Sequence, residues 1–182
     1  MTTQEPDLQQ KVQQLWDIEQ IKRLKYRYFR CFDMADVEGI HDVFHPDVTL
    51  TVAGGIYNFK IEGREAYKQM IADGSHAEMI TQHHGHHPEI DFVSDSEATG
   101  LWYLQDMVWE FRRKIHIRGT ALYRERYLKF EGRWTIKDIE FERIYEIVDP
   151  LEEPPNVTRH YLAEHGRKLP EGELDPFPND KS

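Results

Sequence analysis

Residues 98–111 read Ala98-Thr-Gly-Leu-Trp-Tyr-Leu-Gln-Asp-Met-Val-Trp-Glu-Phe111. Aromatic and bulky aliphatic side chains crowd this stretch, the composition of a strand. Side chains alternate across a strand. One face therefore carries Trp102, Leu104, Asp106 and Val108, and the other carries Leu101, Tyr103, Met107 and Trp109, with Gln105 among them. Both faces are largely apolar, which suits a central strand. Asp106 is the exception. A carboxylate on a buried face must be paired, hydrogen-bonded or neutral, because burying a bare charge is costly. A structural salt bridge and a catalytic carboxyl both meet that requirement.

Reading outward, two more long strands are expected at Ile117–Phe130 and Trp134–Val148, joined by a tight turn at Glu131-Gly132. Arg112-Arg113-Lys114 reads as a solvated connection. Upstream, Ile90–Val93 is a short strand candidate ending in the polar turn Ser94-Asp95-Ser96. Val48–Ala53 and Ile56–Phe59 flank Gly54-Gly55, a hairpin signal. The first third is helical. Leu15, Ile18, Ile21, Leu24, Tyr28 and Phe32 recur every three or four positions and mark one buried face of a helix over Leu8–Phe32. Asp36 reads as the N-cap of a short helix over Val37–Phe44, stopped by Pro46. Gly63 precedes a third helix, Arg64–Ala72, which ends at Gly74.

Helices first and long antiparallel strands after predict an α+β fold. The N-terminal helices would pack on a strongly curved mixed or antiparallel sheet, giving a cone-shaped α+β barrel around a pocket. Beyond Val148, Pro150, Pro154, Pro155, Pro170, Pro176 and Pro178 sit among acidic residues. The expected division is one domain over 1–148 and an acidic, Pro-rich tail over 149–182. That tail would be loose, or would wrap a neighbouring subunit or cover the pocket.

Composition narrows the function classes. A chain of 182 residues fits one domain and can bury a full core without staples. The 39% hydrophobic share excludes a disordered chain, and the 12% aromatic share suits a pocket for a flat or greasy ligand. A net charge of -10 repels phosphate backbones and anionic lipid, so neither nucleic acid nor membrane is an expected partner. The single cysteine, Cys31, cannot form an internal disulfide or a Cys-based zinc site. It lies in the apolar run Tyr28-Phe29-Arg30-Cys31-Phe32 and reads as a buried structural residue. The first residues carry neither a basic nor an apolar signal region, and no apolar run approaches the ~18 residues of a span. A cytoplasmic location is expected.

The chemistry concentrates in Thr81-Gln-His-His-Gly-His-His-Pro-Glu-Ile90, which holds four of ten histidines. Histidine exchanges a proton near neutral pH, so an acid–base role for one of them is the sharpest reading. His84 and His86 also have His-x-His metal-ligand spacing, with Glu89 nearby, but the carboxylate comes one residue too early for a cupin-like site. A surface or structural role is the plain alternative. Asp33 falls on the border of the first helix's apolar face, where capping is equally natural. Tyr28 falls in the middle of that face, so its hydroxyl needs a partner or a ligand.

Together these residues resemble the SnoaL-like branch of the nuclear-transport-factor-two-like superfamily over roughly Leu15 to Tyr145. The resemblance rests on Tyr28-x4-Asp33-x2-Asp36 followed by Val43-Phe44-x2-Asp47, on Gly63-Arg-Glu-Ala66, on His83-x-Gly-His86-x-Pro-Glu-Ile90, on Ala98-x-Gly-x-Trp102, and on Tyr127-x4-Gly132-x-Trp134-x-Ile136. Within that branch Tyr28, Asp33, His83 and Asp106 look most like bile-acid 7α-dehydratase and scytalone dehydratase type enzymes. The resemblance implies a lyase that removes water β to a carbonyl on a hydrophobic cyclic molecule, with neither metal nor organic cofactor. His83 would be the base, Asp33 its partner and Tyr28 the donor to the carbonyl oxygen. Asp106 would protonate or position the leaving hydroxyl. Arg143 would bind an acidic substrate group, with Trp102, His86 and Phe29 also at the substrate. The adjacent His83 and His84 leave the strand frame open by one residue, and a one-residue slip exchanges the faces. The resemblance also implies a homodimer or homotrimer. An isomerase or cyclase, a non-catalytic binding domain and an oxygenase small subunit are the alternatives.

Overall fold

The computed structural model describes residues 7–172 apart from residue 56. The expectations at Ile56, Pro176 and Pro178 lie outside the described residues. Asp7 and Gln10 open the first helix by exchanging hydrogen bonds. The Gln10 amide donates to Asp7 Oδ1 at 2.8 Å and the Asp7 amide to Gln10 Oε1 at 2.9 Å, a capping box. α1 then runs Leu8–Asp33, with Asp17, Ile21, Lys25, Tyr28, Phe29 and Cys31 buried. Spacings of three and four keep this stripe on the sheet. The apolar period located the stripe from Ile21 onward. It did not anticipate that Leu15 is exposed and Lys25 fully buried.

The helix expected over Val37–Phe44 is instead a turn and a 3₁₀ segment, His41–Val43. Asp36 caps the turn rather than the 3₁₀ segment, its Oδ1 accepting from the Gly39 amide at 2.8 Å. Phe44 is already extended and opens β1, Phe44–Ala53. Pro46 lies inside that strand rather than ending a helix. It sits where the ladder to its neighbour is interrupted between Phe44 and Thr49, so its missing N–H breaks no pairing.

The chain continues as β2 (Asn58–Glu62), α2 (Arg64–Gly74), β3 (Met79–Ser94), β4 (Glu97–Glu110), β5 (Ile115–Phe130), β6 (Arg133–Pro150) and α3 (Tyr161–His165). The strands form one six-stranded sheet in the order β2-β1-β6-β5-β4-β3. β1 and β6 run parallel and every other neighbouring pair is antiparallel. The fold is thus α+β with a mixed sheet. That sheet does not close on itself: among the described residues β2 and β3 are its edge strands, and helices cover the inner face. The core joins Ile21, Tyr28 and Phe29 of α1 and Tyr67 and Ile71 of α2 to Trp102, Leu104, Tyr123, Ile136 and Ile139 of the sheet. Glu131 and Gly132 both have positive φ, 50° and 77°, the turn geometry that matches strand twist in a tight hairpin.

Two expectations change here. The strand placed at Ile90–Val93 begins at Met79 and takes in the whole histidine run. Its polar composition kept apolar alternation from marking the first half of the strand. As an edge strand, β3 accommodates Pro88 beside the register shift between His86 and Glu89. β4 is internal to the sheet, as expected, yet only its inner face is covered. Trp102 and Leu104 are buried while Tyr103, between them on the outer face, is 42% exposed.

Residues 151–172 are docked rather than loose. Leu162 is buried, His160 Nε2 donates to the Met79 carbonyl at 2.9 Å, and the Ala77 amide donates to the Arg167 carbonyl at 2.8 Å. Arg112 Nη1 reaches the Pro170 carbonyl at 2.6 Å. No described helix is long and apolar enough to cross a membrane.

Candidate active site

Between the inner face of the sheet, α1 and α2 lies a cavity of about 290 Å³. Apolar side chains including Phe32, Leu50, Phe59, Met70, Val108 and Phe141 supply most of its wall, and Tyr28, Tyr57, Tyr123, His83, Asp106 and Arg143 supply its polar groups. A second, larger hollow of about 470 Å³ lies between α1 and the β5–β6 turn. It is lined mainly by polar and charged residues and holds none of the candidates.

The pairing of β3 with β4 settles the histidine frame. His83 is opposite Asp106, and both enter the cavity wall. His84 is opposite Gln105 and His86 opposite Tyr103, on the outer face. His86, expected at the substrate, is therefore turned away from the cavity by the strand alternation. The register shift after it, where His87 takes φ 49°, returns Ile90 to the core side. Among the described residues no group of three His, Cys, Asp or Glu side chains forms that could hold a metal ion.

Asp33, the last residue of α1, gathers three donors. Its Oδ1 is 2.6 Å from His83 Nδ1 and accepts from Thr81 Oγ1 at 2.8 Å, while Oδ2 accepts from the His83 amide at 3.1 Å. An edge strand offers that amide no further strand, and the carboxylate takes its place. An ionised carboxylate only accepts, so Nδ1 carries the shared hydrogen, and in the neutral ring Nε2 is then the nitrogen with the lone pair. Phe29 stacks near the His83 ring, with centroids 6.2 Å apart and planes at 11°, and Phe32 meets its edge at 4.8 Å. Gly85 makes room for this: a Cβ there would lie 2.3 Å from the Phe29 ring. Phe29, expected at the substrate, supports the imidazole from behind and is absent from the cavity wall.

Tyr28 shares a 2.7 Å hydrogen bond with Tyr67. Burial first, and then the neighbouring phenols and Glu125, push the hydroxyls of Tyr28 and Tyr67 well above the usual phenol range, so both remain protonated. Behind Tyr28 sits a cluster that sequence reading missed. Lys25 Nζ is 2.5 Å from Glu125 Oε1 and lies 4.0 Å and 3.6 Å from the ring centres of Tyr28 and Tyr123. Tyr127 donates to Glu125 and accepts from Trp102 Nε1 at 2.8 Å. Trp102, also expected at the substrate, is committed to this network and does not reach the cavity wall. A signal existed in the sequence. Lys25 falls four residues after Ile21 and three before Tyr28, and Glu125 alternates with Tyr123 and Tyr127.

Arg143 donates to Asp106 through both arms of its fork, Nη1 to Oδ1 at 2.5 Å and Nη2 to Oδ2 at 2.8 Å. Its Nε donates to the Tyr57 hydroxyl at 3.2 Å and lies 3.0 Å from Glu146 Oε2, which accepts from that same hydroxyl at 2.8 Å. Burial opposes the guanidinium's charge, but Asp106 and Tyr57 outweigh it and hold its pKa above the ordinary value. Burial pushes the Tyr57 hydroxyl up to about 12. Arg143, expected to hold an acidic group of the substrate, already has its fork on Asp106. Cys31 is buried and free, as expected. Burial, with Asp36 adding, raises its thiol above the ordinary range.

The sequence matches the SnoaL-like domain over residues 13–140. The chain belongs to the SnoaL-like family. Solved structures share the fold of this SnoaL-like protein. A scytalone-dehydratase-like protein from Novosphingobium aromaticivorans is 22% identical with a TM-score of 0.68, over 80% of this chain and 99% of that one. A hexachlorocyclohexane dehydrochlorinase, LinA type 2, is 16% identical with a TM-score of 0.70, over 81% and 99%. The type 3 enzyme from Novosphingobium barchaimii is 18% identical with a TM-score of 0.67, over 80% and 99%.

Proposed function

We propose that this SnoaL-like protein is a cofactor-independent lyase that eliminates water β to a carbonyl on a cyclic, largely apolar small molecule. The observation that carries the reading is the 2.6 Å contact between His83 and Asp33 at the wall of an apolar cavity. In this reading His83 Nε2 takes the α-proton, and Asp33 stabilises the imidazolium that results. The Tyr28–Tyr67 pair shares one hydroxyl hydrogen internally, which leaves another to donate to the substrate carbonyl as negative charge develops. The C–O bond at the β-carbon then breaks as the C=C bond forms, and the imidazolium returns its proton to the departing hydroxide as water. Asp106 accepts from the β-hydroxyl and positions it. Both carboxylate oxygens already face a guanidinium, a poor arrangement for a proton donor.

The same base would serve a halide elimination, which needs no returned proton. The dehydrochlorinase neighbours favour this as the second reading. The test is a panel of hydroxylated cyclic ketones, steroid and aromatic, and of chlorinated rings, followed by absorbance of the new conjugated product and by chloride release. Turnover of a hydroxyketone, lost in His83→Ala and in Asp33→Asn, is the expected result. Undiminished turnover in His83→Ala would remove the proposed base, and chloride release alone would select the second reading.

A further inference from the structure

The charges around the cavity are lopsided. Arg143 is the only permanent cation among the described residues of its wall, which also contains Asp73 and Asp106. Arg143 is itself flanked by two carboxylates, Asp106 on its fork and Glu146 beside Nε. Arg143 and Glu146 have side chains 8% exposed and Asp106 5%. The guanidinium also has little room to swing away. A Cβ on Gly119 would lie 3.0 Å from Arg143 Nη1, so the group rests against the β5 backbone at a residue that only just admits it. Lys25 adds nothing to the wall, because Glu125 neutralises it behind the tyrosines.

A ring carboxylate entering this cavity would shed its water and meet a cation already balanced by two anions, with a further carboxylate on His83. A neutral hydroxyl would meet lone pairs of Asp106 that Arg143 leaves open, since each carboxylate oxygen offers two. We infer that the Asp106–Arg143–Glu146 cluster makes this cavity select uncharged hydroxylated rings and reject ring carboxylates. Arg143 then serves to hold Asp106 as an acceptor and does not bind acids. This rests on the cavity being the substrate site, and it can be read without turnover.

The test is calorimetric titration of the full chain at pH 7.5 with a matched pair, 2-naphthol and 6-hydroxy-2-naphthoate. The naphthol binds, and the naphthoate binds at least about tenfold more weakly. Asp106→Asn and Glu146→Gln each remove one negative charge, and each narrows the ratio by about tenfold. If Asp106→Asn does not fold by circular dichroism, Glu146→Gln carries the same comparison. A naphthoate that binds wild type as tightly as the naphthol overturns the inference. So does a naphthol that does not bind, or a ratio unchanged in the folded variants. Loss of elimination in His83→Ala judges the chemistry separately, so failure of one reading is distinct from failure of the other.

Discussion

Two clusters of paired ionisable groups share the inner side of one sheet and end differently. Around Lys25, the ammonium, Glu125, Tyr127 and Trp102 satisfy one another, and all four are nearly inaccessible. Around His83, the carboxylate of Asp33 takes one ring nitrogen and leaves the other beside a cavity. Asp106 likewise meets Arg143 while remaining in the cavity wall. Pairing is common to both, with the His83–Asp33 pair only partly buried. What separates them is a leftover lone pair or donor facing empty volume, so an ionisable group is a candidate for chemistry only when its partners leave something unspent.

The contrast can be broken by crossing the two readouts. His83→Ala removes the base and is expected to lower kcat/KM by about 10³-fold, within the range set by a positioned acid–base group. Its melting temperature should change little, because the ring borders a cavity and Asp33 keeps the Thr81 and His83 backbone bonds. Lys25→Met should do the reverse. It strands Glu125 in the core and is expected to lower stability by about 3–5 kcal/mol, measured by urea denaturation. The double variant Lys25→Met/Glu125→Gln should recover much of that loss. If Lys25→Met is as stable as wild type, the closed cluster is not a structural unit.

Tyr127→Phe is a smaller probe of the same cluster. It takes the phenol donor from Glu125 Oε2, leaving Lys25 on Oε1, and leaves Trp102 Nε1 without an acceptor. The expected loss is about 1–3 kcal/mol, read from the same denaturation curves.

A third buried pair gives the smallest effect. His76 is fully buried, its Nε2 3.7 Å from Glu110 Oε1 and without a hydrogen-bond partner among the described residues. Burial first, and then Arg167, Arg112 and Arg113, lower its pKa below the ordinary 6.5, while Glu78 opposes them. Below about pH 6.5 the unfolded chain therefore takes up the proton more readily than the folded one. Stability is full above that pH and declines as pH falls through the lower folded value. The decline attributable to His76 is at most about 1.4 kcal/mol per pH unit. His76→Gln should flatten the stability profile between pH 7 and 5. A profile unchanged by the substitution would show that His76 does not titrate differently on unfolding.

Much of this was legible in the chain, and the gaps have physical reasons. The alternation in residues 98–111 placed Trp102, Leu104 and Asp106 together on one face, because a strand's period is fixed by covalent geometry. The helical period found Ile21 and Tyr28 but passed over Lys25, since a period counts apolar residues and a buried charge is invisible until its partner is known. That partner, Glu125, lies 100 residues away. The strand β3 was truncated because four histidines and Pro88 lack the apolar alternation that marks a strand. Of the three residues expected at the substrate, His86 turns to the outer face, while Phe29 and Trp102 are buried but engaged by the His83 ring and by Tyr127, contacts that a local period does not report.

The sequence by itself determined the α+β order of elements, the part of the helix stripe from Ile21 onward, the hairpin at Glu131-Gly132 and the grouping of Trp102, Leu104 and Asp106 on one face of β4. All of these follow from local periods and turn chemistry. Only the tertiary structure decided that His83 rather than His84 enters the cavity. That choice belongs to the register between β3 and β4 and to the room Gly85 leaves for Phe29. Only the tertiary structure, too, spent the Arg143 fork on Asp106, because the charges that neutralise one another are chosen by distance in space.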